Sequence, residues 1–138
     1  MYLVDTNVIS EARKRERANP GVISFFKQAA REGHDLYLSV ITVGELRRGV
    51  ELIRHRGDTD QAALLEKWLA AVMRDYAQNI LPLDVEIAQL WGRLRAPHAE
   101  HALDKLIGAT ALIHDLIVVT RNVDDFAGTG AGALNPFV

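Results

Sequence analysis

Short apolar runs alternate along this chain with segments in which apolar residues recur every three or four positions. Unbroken apolar runs are typical of strands covered on both faces of a sheet. We expect strands at Tyr2–Val4, Leu36–Ile41, Ile80–Leu83 and Leu116–Val119, with Leu134–Val138 as a further edge strand.

Helical periodicity is clearest after Asp60, where one face of a predicted helix is apolar. That face contains Leu65, Trp68, Leu69, Val72, Met73 and Tyr76. The spacing predicts an amphipathic helix whose stripe, including the tryptophan, packs in the core. Further helices are expected over residues 8–13, 20–32, 42–56, 84–96 and 102–114. Asn19 before Pro20 is a helix start, and Gly33 is a helix stop.

Strands that alternate with helices predict an α/β fold with a mostly parallel sheet and right-handed crossovers. The chain has 138 residues, of which 49% are hydrophobic, so it can bury its own core. We expect one domain over residues 1–138.

Composition narrows the class of protein further. With no cysteine, disulfides and thiolate metal sites are excluded, and we expect a protein of the reducing cytoplasm. No apolar run approaches the roughly 20 residues that cross a bilayer. Asp5 and Glu11 interrupt the N-terminal apolar segment where a signal peptide would need a longer one. A formal charge of -2 is not typical of nucleic-acid binders, but it is compatible with acids gathered at a metal and arginines around it.

Acidic residues fall at one end of the predicted strands. Asp5 closes the first strand, and Asp124 and Asp125 follow the Leu116 strand. Glu45 and Asp104 are each placed in the first turn of a predicted helix. Strand ends and helix beginnings share one edge of a parallel sheet, so at least four carboxylates are expected to converge there. Carboxylates packed this closely repel one another, and a bound divalent cation usually neutralises them. Oxygen ligands favour Mg²⁺ or Mn²⁺.

Each acid also has a purely local explanation. Asp5 and Asp125 are able to cap turns, and Asp104 favours a helix N-terminus through its dipole. Thr42-x-x-Glu45 matches a capping box. Convergence outweighs these explanations for Asp5, Glu45 and Asp104, whereas Asn122 and Asp124 compete with Asp125 for the same role. Asp84, directly before a helix, is interpreted as a simple N-cap.

Two other patterns are interpreted without chemistry. His98-x-x-His101 has metal-ligand spacing but lies in a proline-containing connection with no third ligand nearby, so we interpret it as a solvated loop. His34, His55 and His114 are expected at the surface. The glycines between residues 128 and 132 do not separate a strand from a helix, which argues against a phosphate-binding loop.

Four ordered motifs resemble PIN-domain proteins, most closely the VapC toxins of bacterial toxin–antitoxin pairs and their FitB-like branch. The motifs are Asp5-Thr6-Asn7-Val8-Ile9-Ser10, Thr42-x-x-Glu45-Leu46, Asp104-x-x-Ile107-x-Ala109-Thr110-Ala111 and Thr120-Arg121-Asn122-x-x-Asp125-Phe126. The resemblance continues into the C-terminal Asn135-Pro136-Phe137 and so spans nearly the whole chain.

This resemblance implies a three-layer α/β/α fold and a Mg²⁺-dependent (or Mn²⁺-dependent) endoribonuclease. It implies a homodimer inhibited by a small antitoxin of the VapB or FitA type, with DNA bound only through that antitoxin. Asp5, Glu45 and Asp104 match the family's metal-binding, catalytic acids. Many relatives have Asp where this chain has Asn122, so we place the fourth acid at Asp125. Either Glu45 or Asp125 would orient or deprotonate the attacking water.

Polar and basic residues near the motifs complete the predicted site. Candidates for holding the metal's outer ligands or the phosphate are Thr6, Asn7, Ser10, Thr120 and Asn122. Candidates for contact with RNA are Arg13, Lys14, Arg15 and Arg17, which alternatively form a solvated loop or contact the antitoxin.

Two other functions compete with the ribonuclease. A receiver-like signalling domain also gathers acids and Mg²⁺ at a sheet edge, but it needs a lysine after a late strand, and none follows Leu116–Val119. The second alternative is a PIN-like binding or regulatory subunit with weak or lost catalysis that acts with its antitoxin on DNA. Asn122, where many relatives have Asp, favours this alternative.

Overall fold

A five-stranded parallel sheet forms the centre of the computed structural model, which describes residues 1–138. The strands are β1 (Tyr2–Val4), β2 (Leu36–Ser39), β3 (Ile80–Leu81), β4 (Ile117–Val119) and β5 (Ala133–Leu134). The helices are α1 (Thr6–Ala12), α2 (Pro20–Glu32), α3 (Val40–His55), α4 (Thr59–Asp75), α5 (Val85–Arg95) and α6 (Ala102–Ile113). Two 3₁₀ segments, Arg15–Arg17 and Val123–Thr129, lie between them.

The strand order is β3-β2-β1-β4-β5, and every neighbouring pair is parallel. Leu3 and Val4, adjacent in β1, are both fully buried yet belong to different hydrophobic clusters. Because successive strand residues point to opposite faces, the sheet must be covered on both sides. The predicted α/β/α layering and parallel sheet are confirmed.

Several local predictions are confirmed. Leu69 and Val72 of α4 are buried in the core, and the rest of the predicted stripe packs against it. Asn19 caps α2, and Gly33 ends it in the left-handed conformation with φ 68°. Asp84 caps α5 by accepting the Ile87 amide hydrogen at 2.9 Å.

The boundary between β2 and α3 was predicted wrongly. Strand β2 ends at Ser39 rather than at residue 41, because the Ser39 hydroxyl oxygen accepts the Ile41 amide hydrogen at 3.0 Å and caps α3. Thr42 therefore lies inside the first helical turn. The capping box, the local explanation set aside for Glu45, does not form, since Ser39 is the N-cap, and Glu45 lies in the second turn rather than the first.

Other differences concern the C-terminal half. The apolar pattern of α6 makes Leu103 available for packing, yet Leu103 is 49% exposed, and the buried residues of the helix lie between Lys105 and Ala111. The stretch after β4 is a 3₁₀ segment, and β5 covers Ala133–Leu134 instead of the predicted 134–138. None of the helices is both long enough and apolar enough to cross a membrane.

Candidate metal centre

Four carboxylates from distant parts of the chain meet at the carboxyl edge of the sheet. Asp5 follows the central strand β1, and Asp125 lies in the 3₁₀ segment after β4. Glu45 comes from α3, which follows β2, and Asp104 comes from the first turn of α6. Each of the other three acids acts by charge on Asp104, so the four share one electrostatic environment.

Asp5 is 5% exposed and is held by hydroxyl and amide donors. Its Oδ1 accepts the Thr6 amide hydrogen at 2.8 Å, which makes Asp5 the N-cap of α1. Its Oδ2 accepts the Thr120 hydroxyl at 2.8 Å and the Asn7 side-chain amide at 3.3 Å. Desolvation is the largest effect on Asp5 and raises the pKa of its carboxyl, these hydrogen bonds lower it, and the charge of Asp125 raises it further.

Thr6 links Asp5 to Glu45. Its backbone amide donates to Asp5, while its hydroxyl donates to Glu45 Oε1 at 2.7 Å. The same hydroxyl lies 3.4 Å from Thr42 Oγ1. One residue therefore fixes two of the acids relative to each other, from two elements that are far apart in sequence.

Asp104 shows how closely the negative charges are packed. Desolvation, followed by repulsion from Asp5 and Asp125, raises the pKa of Asp104 to about 6; His101 lowers it, and Glu45 adds a smaller raising effect. Carboxylates whose neighbours raise their pKa are acids that lack a compensating cation. This donor set fits a hard divalent ion, since oxygen ligands with net negative charge are what Mg²⁺ and Mn²⁺ bind.

His101 also lies at this centre, and the solvated-loop interpretation was wrong for it. Ligand atoms of His101, Asp104 and Asp125 all lie within 4.8 Å of one another. His98 does stay in the exposed loop, where it faces Glu100 at 3.7 Å. The missing third ligand was near in space but came from the 3₁₀ segment, which the spacing of the histidines alone did not reveal.

Of the other polar residues predicted for the site, some contact Asp5 and others are exposed. Asn7 and Thr120 contact Asp5, and the Thr120 hydroxyl also accepts the Asn122 amide hydrogen at 3.0 Å. Asn122 itself is exposed and makes no capping bond with its side chain. Asp124 is exposed as well, whereas Asp125 is partly buried and acts by charge on both Asp5 and Asp104.

The basic residues lie beside the acids rather than on them. Ser10 and Arg13 line a groove with Glu45, and further along its lining are Leu65 and Trp68. The remaining three do not line that groove: Lys14 pairs with Glu11 at 2.9 Å, and Arg15 and Arg17 are exposed in the first 3₁₀ segment.

Known proteins similar to this chain match it over the region that contains the four acids. The PIN domain family model matches residues 2–131. The chain is similar to the Toxin FitB of Neisseria gonorrhoeae, with 35% identity over 99% of both chains, and to the VapC ribonuclease Y4jK of Sinorhizobium fredii, with 30% identity over 99% of this chain and 98% of the other. A solved structure of FitAB bound to a DNA fragment superimposes with a TM-score of 0.84 and 33% identity, over 99% of this chain and 95% of that one.

Proposed function

This chain belongs to the PIN-domain family, and from that premise we propose that it is a metal-dependent endoribonuclease, the toxin of a type II toxin–antitoxin pair. The observation that carries the proposal is the set of four carboxylates, Asp5, Glu45, Asp104 and Asp125, which act on one another without a lysine or arginine partner. Because no lysine or arginine of the protein neutralises these acids, the set suits a site that binds a metal cation from solution.

The proposed roles follow from what holds each acid. Asp5 and Asp104 would bind the metal, with Glu45 and Asp125 completing the set. A divalent ion bound there would lower the pKa of a coordinated water and neutralise charge on the phosphodiester and its leaving oxygen. Thr120 and Asn7 orient Asp5 through their hydrogen bonds, which favour the ionised form of its carboxyl against the effect of burial.

Deprotonation of the attacking water falls to Glu45 or Asp125. Glu45 is oriented by the Thr6 hydroxyl, so its second oxygen is left to accept a proton. Asp125 is part of a 3₁₀ segment fixed by its own amide, which donates to the Asn122 carbonyl oxygen at 3.0 Å. Comparing the pH profiles of Glu45→Gln and Asp125→Asn proteins would separate the two roles.

RNA is the proposed substrate because a relative with full-length similarity is named a ribonuclease. Arg13 lies in the groove beside Glu45 and is placed to meet a phosphate that enters the centre. Arg15 and Arg17 follow in the chain and are exposed. Lys14 is partly neutralised by Glu11, so we expect it to contribute less.

We propose a cognate antitoxin of the VapB or FitA type as the protein partner. The groove that passes Glu45 has an apolar part formed by Leu46, Ile53, Leu65 and Trp68, which suits an amphipathic segment. DNA would be bound only through this antitoxin; the similar FitAB complex has been solved bound to a DNA fragment.

We also propose a homodimer. Val40, Leu83 and Val85 are exposed and follow the carboxyl ends of the neighbouring strands β2 and β3. Light scattering of purified Leu83→Asp and wild-type proteins would test whether this apolar area joins two copies.

The decisive experiment is cleavage of structured RNA by purified protein with Mg²⁺ and with EDTA. We expect cleavage that EDTA stops, and a loss of at least about a hundredfold in Asp104→Asn protein, since the lost group touches the reacting centre. Asp124→Asn, which changes an exposed neighbouring acid, serves as the matched control and should cleave normally. Undiminished cleavage by the Asp104→Asn protein would contradict the site.

The alternative is a binding subunit without catalysis, and Asn122 is the residue that favours it. Asn122 replaces a carboxylate that many relatives have, and its side chain is exposed without a capping bond. Cells overproducing the chain without antitoxin would then grow normally, and an Asn122→Asp protein would gain activity. Growth arrest by the wild-type chain, dependent on Asp104, supports the nuclease instead.

A further inference from the structure

His101 lies beside Asp104 and Asp125 and has an unusual backbone conformation. Its φ of 53° and ψ of 48° place it in the left-handed region, which non-glycine residues rarely occupy. The surrounding connection is anchored on both sides. The Trp91 indole donates to the Ala102 carbonyl oxygen at 2.9 Å, and the buried Lys105 donates through its amide to the His101 carbonyl and through its ammonium to that of Glu100.

The imidazole lies near both Asp104 and Asp125 without a hydrogen bond to either. Nδ1 is 3.7 Å from Asp104 Oδ2, and Nε2 is 3.8 Å from Asp125 Oδ1. Both distances exceed those of a hydrogen bond. A single ion binds only one of the two ring nitrogens, because Nδ1 and Nε2 point to different sides of the imidazole. One nitrogen of His101 and one carboxylate oxygen each from Asp104 and Asp125 lie within 4.8 Å of one another, so an ion placed among them needs only side-chain rotations to reach all three.

From this geometry we propose that His101 binds the metal of the nuclease centre as a nitrogen ligand, alongside Asp104 and Asp125. The inference rests on the proposed function, since it assigns a further ligand to the same site. Imidazole suits later divalent ions, whereas Mg²⁺ prefers oxygen and loses its water reluctantly. His101 therefore makes this centre favour Mn²⁺ over Mg²⁺ more strongly than carboxylates alone would.

A competing role for His101 makes the opposite prediction. If the ring only supplied positive charge to Asp104 and Asp125, an arriving cation would displace it. Removing the ring would then leave Mn²⁺ affinity unchanged or improve it. As a ligand, the ring contributes to binding, and its removal weakens Mn²⁺ affinity more than Mg²⁺ affinity.

The test is pulsed electron paramagnetic resonance of Mn²⁺ bound to the whole protein, with titration calorimetry for Mn²⁺ and Mg²⁺. His101→Asn removes the imidazole and retains a residue that tolerates the left-handed conformation. His98→Asn, in the same loop, is the matched control. We expect ¹⁴N modulation in wild-type and His98→Asn proteins, its loss in His101→Asn protein, and Mn²⁺ affinity about tenfold weaker in the last.

Absence of nitrogen modulation in the wild-type protein, its persistence in the His101→Asn protein, or failure of the wild-type protein to bind Mn²⁺ would each overturn the assignment. RNA cleavage keeps the two proposals separate. Cleavage that depends on Asp104 without a nitrogen signal would preserve the nuclease and remove His101 as a ligand. A nitrogen signal without cleavage would do the reverse.

Discussion

Removing the charge of Asp104 should stabilise the metal-free protein. Its carboxylate is desolvated and repelled by Asp5, Asp125 and Glu45, and these effects raise its pKa to about 6 from 3.8. Replacing it with Asn preserves the shape of the side chain and removes the repulsion. The same change removes a proposed ligand, so it should also abolish stabilisation by added metal.

The size and sign of the effect follow from the shift. A difference of about two pKa units corresponds to about 3 kcal/mol. Because the Asp104 side chain is 29% exposed, solvent screening reduces the expected value to about 1–2 kcal/mol. Below pH 4 the group is protonated in both states and contributes nothing. Between about pH 4 and 6 only the native state holds the proton, so the free energy of unfolding falls as pH rises and levels off above about 6.

The measurement is urea denaturation in EDTA between pH 4 and 8. Asp104→Asn protein should gain stability over wild type as pH rises, reaching its full advantage near pH 7. Asp124→Asn protein, with an exposed acid removed, should follow the wild-type curve. Mg²⁺ should then stabilise the wild-type and Asp124→Asn proteins but not Asp104→Asn protein. Equal stability of wild-type and Asp104→Asn proteins at pH 7.5, or a parallel pH dependence, would refute the claim that repelling carboxylates gather here.

Three further changes test parts that support the centre. Thr6→Val removes the hydroxyl that orients Glu45 and should lower RNA cleavage by about 10- to 100-fold while circular dichroism stays unchanged; full activity would contradict the orienting role. Gly108→Ala places a methyl group 3.0–3.2 Å from Thr129, so denaturation should show a loss of about 1–3 kcal/mol, and an unchanged midpoint would contradict that close packing. Asn19→Ala removes both the cap of α2 and two bonds to the Val138 backbone and should cost about 2 kcal/mol, with faster carboxypeptidase trimming; trimming at the wild-type rate would exclude the C-terminal contact.

The convergence of acids was predictable because it follows from topology. In an alternating parallel fold, strand ends and the starts of the following helices share an edge, so Asp5 and Asp104 could be placed together from the order of elements. Exact boundaries did not matter for that conclusion. Glu45 remained at the centre although α3 begins at Val40, because the second helical turn still faces the same edge.

The β2–α3 boundary and the position of His101 could not be predicted in this way. Ser39 ends a buried apolar run with a hydroxyl that caps the helix, and the pattern of apolar residues does not distinguish its last strand position from the first helical one. His101 is placed by contacts from Trp91 and Lys105 and by a left-handed backbone conformation. Those contacts depend on the tertiary structure, and the spacing of residues along the sequence does not predict them.

Two of the acids at the sheet edge have neutral hydrogen-bond donors, whereas two acids elsewhere on the surface form ion pairs with arginine. On the α3–α4 surface the chain neutralises Glu51 and Glu66 with Arg47 and Arg54, so it has arginines available for ion pairs. At the sheet edge, Asp5 receives neutral hydroxyl and amide donors instead. Neutral donors fix an acid's geometry without cancelling its charge, and a buried guanidinium would have filled the space. Repulsion among the carboxylates lowers stability, and in the proposed function a cation that arrives with the substrate would relieve it.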